Sequence, residues 1–474
     1  MNSESRRGLF SGLFEAGSVT IDDDAWLQAM LDTEAALTRA AERAGLALPG
    51  SGAAVTSIAK VSFIDNASLG VSAAAAGNPI PALVKAMTGL VPSGAAQAIH
   101  LGATSQDIID TAVMLLARQA IDATLADLAA AAESCAALTR EHATTLMSGR
   151  TLLQQAVPIT FGLVTAGWLT ALDEAREQLR CSRARLAIQY GGAAGTLAPL
   201  GSQGPEVARL LGEELDLAVP VLPWHTNRLR VLEIAAALTA VCAALGKIAR
   251  DVTLLSQTEV GEVAESAPGG SSTMPHKQNP VAAIVLLGHT KQAPHLYAAL
   301  ASAAEQELQR AAGAWHAEWL PLTRLLSLTT SASGWATRLL SGLRVDAARM
   351  QVNLGLTHGL PLAEQVAGLL APSLGRLQAH SLVERASARA ITDGISLAEA
   401  LGGDEEGRAQ LAAGNISRAQ LDAALDPGSY LGSTAEFIAA ALSAHASRSA
   451  ELSGRDLQRQ RVNDAVPLRD QRQR

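Results

Sequence analysis

The stretch GGSSTMPHKQNP, Gly269 to Pro280, sets two serines, a histidine, a lysine and an asparagine between two long Ala/Leu-rich patterns. Gly269 and Gly270 leave the backbone free to close over a ligand at Ser271 and Ser272. Asn279-Pro280 has the form of an N-cap followed by proline at the first helical position. A helix N-terminus attracts anions, and Lys277 adds a full positive charge beside it. The stretch therefore reads as a hydroxyl-bearing lid leading into an anion-binding helix end. Taken alone, it also fits a polar connection with an ordinary cap.

Two further stretches bear polar groups at the ends of helical patterns. In HLGATSQDIIDTA, His100 to Ala112, Thr104 and Asp107 have capping-box spacing at the head of a long apolar repeat. Thr104 and Ser105 there offer hydroxyls and backbone N–H groups to an anion, with His100 close by in sequence, although a plain helix cap accounts for the same spacing. In GRTLLQQAVPITFG, Gly149 to Gly162, Thr151 and Gln154 are the candidate contacts. His225 in PWHTNR, and His316 with Glu318 in WHAEW, are acid/base types. A histidine beside tryptophan is more often a packed or capping residue.

The elements that must position these groups are helical. The chain has 474 residues, enough for two or three domains, with 48% hydrophobic and only 3% aromatic residues. Ala and Leu dominate over Val, Ile and Tyr, which favours helix over sheet. From Gln106 onward Ile108, Ala112, Leu115, Leu116, Ile121, Leu125, Leu128, Ala132, Cys135 and Leu138 recur at three- and four-residue steps, predicting one long helix. Similar patterns predict helices over 156–188, 227–260, 279–312 and 319–345, with Pro294 interrupting the fourth. The reading is an all-α chain in three regions: 1–105, a central long-helix bundle over 106–345 that carries the 269–280 loop, and 346–446. A disordered tail is expected over 447–474.

Several function classes are disfavoured. A net charge of −8 gives no basic field for nucleic acid. Cys135, Cys181 and Cys242 lack metal or disulfide spacing and read as small core residues. No metal-ligand pair and no Gly-rich phosphate loop is present in the sequence, so no cofactor is expected. The first residues have no signal-like apolar stretch, and the longest uncharged run, Ile234 to Gly246, falls short of the ~20 residues a membrane span requires. No membrane partner is expected, and a reducing cytoplasm fits best.

Gly270 to Pro280 matches every fixed position of Gly-Ser-Ser-x-Met-Pro-x-Lys-x-Asn-Pro, and on this loop the chain resembles the fumarase/aspartase superfamily. The 100–112 and 149–162 stretches resemble that family's first and second conserved regions. The resemblance implies that Ser271 is the base removing a proton beside a carboxylate, and that Lys277 and Asn279 hold this carboxylate as it becomes an aci-carboxylate. It implies substrate contacts from Thr104, Ser105, Thr151 and Gln154, with His276 as an active-site neighbour. It also implies a homotetramer whose active sites each draw one conserved segment from each of three subunits.

Two departures narrow the chemistry. Where family lyases carry a proton-donating histidine this chain has Leu152, and where they carry its orienting glutamate it has Ile284. A carboxylate, with a pKa near ~4, leaves without a proton whereas an amine does not. The double loss therefore implies a leaving group that is already a stable anion. The cycloisomerases of 3-carboxy-cis,cis-muconate are such a branch, acting in protocatechuate degradation by the β-ketoadipate pathway. The chain resembles them nearly throughout, in QYGGAAGTLAPLG, PWHTNR, AAGAWHAEW and LDPGSYLGS among other segments. A tricarboxylate substrate needs cations beyond Lys277, which raises Arg228 as a further contact against the alternative of a solvated face. Asn227, Gln278 and His358 depart from that branch and bear on substrate identity. Alternative expectations are a superfamily lyase releasing fumarate, either by expelling an anion such as nitrite or by acting on an adenylosuccinate-like substrate, and a non-catalytic, crystallin-like helical oligomer.

Overall fold

The structure, a computed structural model, describes residues 9–14, 17–403 and 405–464, with side chains of residue 406 and of 451–464 outside the description. The all-α expectation holds. Long helices span Asp23–Arg43, Ser105–Glu141, Phe161–Ala184, Leu229–Leu255, Ala314–Ser341 and Thr434–Asp464, and the described strands form two two-stranded antiparallel sheets. The chain groups into two compact units, one from 1–131, 174–250 and 281–339, the other from 132–173, 251–280 and 340–474.

In the first unit, the helix Asp23–Arg43 starts where Asp22 accepts the Ala25 N–H at 2.9 Å. Asp23 and Asp24 in its first turn and Arg43 in its last complement the helix dipole. Its inward face, including Leu27, Leu31 and Leu37, is buried. Ser105–Glu141 runs 37 residues, about 55 Å at the usual rise. Of its predicted inward positions all are buried except Leu125, which is half-buried. Leu229–Leu255 is long and apolar enough to cross a membrane by composition, but Val231, Ile234, Leu238, Val241, Leu245 and Ile248 are buried within the protein as core.

The helix predicted over 279–312 is two, Val281–Thr290 and Ala293–Ala303, with Pro294 in the first turn of the second. Proline is tolerated there because a first-turn N–H has no intrahelical partner. The chain then leaves helix, with Leu308 at φ 51°.

In the second unit, the helix predicted from 156 begins at Phe161, because residues 146–160 form a β-hairpin of Leu146–Thr151 with Gln154–Thr160. Val157, Pro158, Ile159 and Thr160 favour extended backbone, and the Thr160 hydroxyl accepts the Leu163 N–H at 3.2 Å to start the helix. A second small sheet pairs Val263–Glu265 with Leu343–Val345. The C-terminal helices pack around Val366, Leu370, Leu382, Val383, Leu397, Leu401 and Leu421.

The last helix reaches Asp464, past the expected boundary at 446. The stretch 455–461, RDLQRQR, supplies Arg, Leu and Gln, which are good helix formers even without an apolar face. The end of the expected disordered tail, 465–474, lies outside the described residues. His445 anchors this helix between Asp173 and Glu133, each 2.9 Å from a ring nitrogen.

Candidate active site

The loop 269–280 closes on itself. Gly269 and Asn279 exchange two backbone hydrogen bonds, each 2.9 Å, and the Asn279 Nδ2 donates to the Gly270 carbonyl at 3.4 Å. The side chain of Asn279 thus ties the loop neck rather than capping the helix as expected, and the helix itself begins at Val281. Within the loop, the Ser271 Oγ accepts the N–H groups of Thr273 at 3.3 Å and Met274 at 3.1 Å. Two donors already face the atom on which negative charge would develop if the hydroxyl lost its proton, which favours the charged form. His276 and Lys277 are exposed, and Lys277 has no carboxylate partner among the described residues.

The turn that carries Thr104 and Ser105 belongs to the first unit and is organised by Asp107. Asp107 Oδ2 accepts the Thr104 N–H at 3.0 Å while the Asp107 N–H returns a bond to the Thr104 carbonyl. The same carboxylate accepts the N–H groups of Gly191 and Gly192 at 3.0 and 2.8 Å, and its Oδ1 lies 2.7 Å from His225 Nε2. Close approach of the chains explains the glycines: a Cβ on Gly192, at φ +68°, would lie 2.8 Å from the Gly102 carbonyl. Tyr190 adds a hydrogen bond from its hydroxyl to the Leu101 carbonyl at 2.7 Å. Burial, then the charges of Asp107 and Glu34, push the Tyr190 hydroxyl far above its usual range, so it stays a donor.

His100 stands at the start of this turn with φ +59°. Its N–H donates to Glu34 Oε2 at 3.1 Å and its Nδ1 lies 2.7 Å from Glu34 Oε1. Burial alone would lower its pKa, but the hydrogen bond and charge of Glu34, with the charge of Asp107, outweigh it and hold the imidazole above its ordinary value.

Arg228 does not serve as a substrate cation. Its side chain is 1% exposed, and its guanidinium lies between Asp110, at 2.8 and 3.0 Å, and Glu318, at 2.6 to 3.1 Å. Trp315 Nε1 donates to Asp110 at 3.0 Å, Gln306 to Glu318 at 2.9 Å, and the guanidinium stacks 4.8 Å from the Trp224 ring. A buried cation facing two buried carboxylates is a structural tie between helices, since its N–H groups are already used. Burial raises the Glu318 pKa against the opposing pull of Arg228. His225 follows the packed reading, at 4% exposure, whereas His316 is exposed, with its Nε2 3.1 Å from the Gly77 carbonyl and its ring against Trp315 and Trp319.

Thr151 and Gln154 form the last pair of the hairpin in the second unit, joined by Leu152 and Leu153 at φ 51° and 64°. Both leucines point to solvent in the chain, at 97% and 73% exposure. Below the tip, Arg150 makes a two-bond pair with buried Glu262 at 2.8 and 2.6 Å, and Asn353 Nδ2 donates to Glu262 at 2.8 Å. Gln155 donates to the Asn353 carbonyl at 2.9 Å, a further tie on the stem.

The candidate residues thus fall into two sets: His100, Thr104, Ser105 and Arg228 in the first unit, and Thr151, Gln154, Ser271, His276, Lys277 and Asn279 in the second. Sequence reasoning missed Glu34 and Glu262, single acids inside helical or irregular stretches with no motif around them. It understated Asp107, whose capping-box position was the available signal. Of the cysteines, Cys135 and Cys242 are buried as expected, while Cys181 is exposed. Among the described residues no group of three or more His, Cys, Asp or Glu is arranged to hold a metal ion.

Known proteins resemble the chain over most of its length. The family described as lyase matches residues 11–294, and that described as adenylosuccinate lyase C-terminus matches 359–441. The chain is 45% identical over 446 residues to the 3-carboxy-cis,cis-muconate cycloisomerase of Pseudomonas aeruginosa, covering 92% of this chain and 96% of that protein. It is 43% identical over 426 residues to the nitrosuccinate lyase of Streptomyces davaonensis, covering 87% and 89%. The crystal structure of the 3-carboxy-cis,cis-muconate lactonizing enzyme from Pseudomonas putida superimposes with a TM-score of 0.85 at 42% identity, covering 93% of this chain and 99% of that one.

Proposed function

The chain belongs to the fumarase/aspartase superfamily of lyases, and we propose that it is an enzyme interconverting 3-carboxy-cis,cis-muconate and 4-carboxymuconolactone. One observation carries this choice within the family: the loop of Ser271, Lys277 and Asn279 is intact while Leu152 and Ile284 occupy the places of the family's proton-donating histidine and its glutamate. A helical oligomer without activity would have no reason to keep the first set. An enzyme that expels an amine could not lose the second.

In the direction that opens the lactone, Ser271 takes a proton from the carbon beside a carboxylate. The electron pair left on that carbon passes into the carboxylate, giving an aci-carboxylate, and returns to form the double bond as the ring C–O bond breaks. The departing oxygen belongs to a second carboxylate, which leaves as the anion. In the closing direction that carboxylate attacks and the proton returns from Ser271 to carbon, so the reaction is an isomerisation with no net proton. Serine is a weak base, and the Thr273 and Met274 N–H groups bonded to its Oγ offset part of the cost of the alkoxide. Lys277 supplies charge for the aci-carboxylate, and Asn279 holds the loop in shape. Thr104, Ser105, Thr151, Gln154 and His276 bind the remaining carboxylates. Arg228, committed to Asp110 and Glu318, keeps the Thr104 helix in place.

The assembly that fits this reading is a cytoplasmic homotetramer in which each site takes the Thr104, Thr151 and Ser271 segments from three different subunits. The sequence regions 1–105, 106–345 and 346–446 are its N-terminal, bundle and C-terminal parts. Exposed apolar side chains at the hairpin tip, Leu152 and Leu153, support burial of that tip by another subunit.

The 43% identity to a nitrosuccinate lyase favours one rival, a lyase expelling nitrite, which is likewise a stable anion. Product analysis separates the two. The purified enzyme is expected to convert 3-carboxy-cis,cis-muconate to its lactone, with Ser271→Ala reducing turnover by several orders of magnitude while leaving folding intact. Fumarate from nitrosuccinate without lactone formation would overturn the assignment. A Ser271→Ala rate above about a tenth of wild type, a loss under roughly 1.4 kcal/mol, would remove Ser271 from the chemistry.

A further inference from the structure

Glu34 lies on the helix Asp23–Arg43 and is fully buried, yet among the described residues its carboxylate meets a single ionisable partner within hydrogen-bonding distance, the imidazole of His100. Taking a carboxylate out of water is costly and is offset only by a well-placed partner. Here the contact is double: one oxygen takes the His100 N–H and the other faces Nδ1. The grip also holds His100 at φ +59°, in the left-handed region that disfavours a side-chain-bearing residue. Glu34 takes Nδ1, which leaves Nε2 as the ring nitrogen for a ligand, and the side chain is 21% exposed.

The place of this ring matters because of what surrounds it. Thr104 follows four residues later, and its N–H is held by Asp107, whose charge also acts on His100. Two arginines lie near the same turn, and both are already engaged. Arg228 faces Asp110 and Glu318, while Arg310 donates to Gln106 Oε1 and to the carbonyls of Gly192 and Ala193. The groups acting on His100 are Glu34 from the helix Asp23–Arg43 and Asp107 from the helix Ser105–Glu141, with Tyr190 nearby as a neutral hydroxyl. They favour the imidazolium, a cation the turn can present to an anion.

We propose that Glu34 and His100 form a fixed carboxylate–imidazole pair that receives one carboxylate of the substrate beside the Thr104–Ser105 turn, with His100 touching the substrate through Nε2 and Glu34 acting as its positioning residue. The inference rests on the cycloisomerase reading and adds to it the device by which a tricarboxylate is told from a dicarboxylate. Glu34 contributes only by way of His100, so removing either weakens the same contact.

The experiment titrates the full-length enzyme by calorimetry with two stable probes, tricarballylate and glutarate. It compares wild type, His100→Gln, Glu34→Gln and the double variant. His100→Gln is expected to lose roughly tenfold to a hundredfold in tricarballylate affinity, the range of a hydrogen bond to a charged group, with little change for glutarate. Glu34→Gln shifts in the same direction, and the double variant is no weaker than His100→Gln, because the two residues act as one unit. KM for 3-carboxy-cis,cis-muconate rises in parallel while kcat changes less.

Equal weakening of both probes, or losses that add in the double variant, would overturn the pair. Should Glu34→Gln fail to fold, His100→Gln, at a partly exposed ring, decides the matter by the same comparison of probes. A wild type that discriminates between the probes as expected but forms no lactone would overturn the reaction and leave the pair standing.

Discussion

Replacing Leu152-Leu153 by Asn-Gly should tighten the hairpin. Both leucines sit in the left-handed region, at φ 51° and 64°, in a two-residue connection of the kind that Asn-Gly normally fills. The left-handed conformation costs roughly 1–2 kcal/mol for each side-chain-bearing residue, or about 2–4 kcal/mol for the pair. Glycine returns some of this through its freer unfolded state, about 1 kcal/mol, leaving a net gain near 1–3 kcal/mol. Exposures of 97% and 73% mean that little packing within the chain is lost by the exchange.

Native-state hydrogen exchange reads this gain locally. Amides of the segment 146–160 should exchange roughly fivefold to a hundredfold more slowly, at 1.4 kcal/mol per factor of ten. Unchanged or faster exchange would refute the argument from strain. Turnover should fall in the same variant, because the tip then presents an amide where the proposed site has an apolar side chain. Strain kept at a functional position, at the expense of stability, has that signature.

Two other outcomes follow from the site and its surroundings. Mixing inactive Ser271→Ala subunits with inactive Thr104→Val subunits under exchanging conditions should restore activity in some mixed sites, and full activity in a verified monomer would contradict shared sites. His289 is buried, with Nδ1 at 2.8 Å from the Val285 carbonyl and Nε2 at 2.9 Å from Ser331 Oγ. Burial first, and the Arg324 charge after it, hold its pKa below the ordinary value. The unfolded chain therefore binds a proton here before the folded one does. Stability at this residue is complete above an unfolded pKa near ~6.5 and is lost as pH falls from there toward the lower folded value. His289→Gln should flatten that acid limb in denaturant midpoints measured against pH, and an unchanged slope would dismiss the residue as its source.

The long helices were legible because a single face repeats over many turns. Ile108 through Leu138 name the buried side of Ser105–Glu141 with only Leu125 half-exposed. The hairpin at 146–160 was not legible. Its turn carries Leu-Leu in place of the Asn-Gly that marks such connections, so the apolar run flows into the following helix without a break in pattern. The loop 269–280 stood out as a break in helix, yet the role of Asn279 was misplaced. A cap position and a loop neck use the same side chain, and only the backbone pairing of Gly269 with Asn279 tells them apart. Asp107 gathers donors from residues more than eighty positions away, which no local spacing encodes.

Arg228 shows how counting charges misleads when the protein's own acids are left out. A tricarboxylate calls for cations, and an arginine between tryptophan, histidine and a long helix looks available in the sequence. In the fold it faces Asp110 and Glu318, so the cluster of three charged groups is net negative before any substrate arrives. Removing the arginine would leave two buried carboxylates unpaired, a loss of about 3–5 kcal/mol where one such pair is broken. The charge of Arg228 thus serves the scaffold. What the proposed site has left at the Thr104 turn is the hydroxyls of Thr104 and Ser105, the Ser105 N–H and the imidazole that Glu34 holds in place, because Asp107 already occupies the Thr104 backbone. A site assembled from N–H groups, hydroxyls and one tethered imidazole can bind carboxylates firmly and still let one of them leave, which a site crowded with buried guanidinium groups could not do as easily.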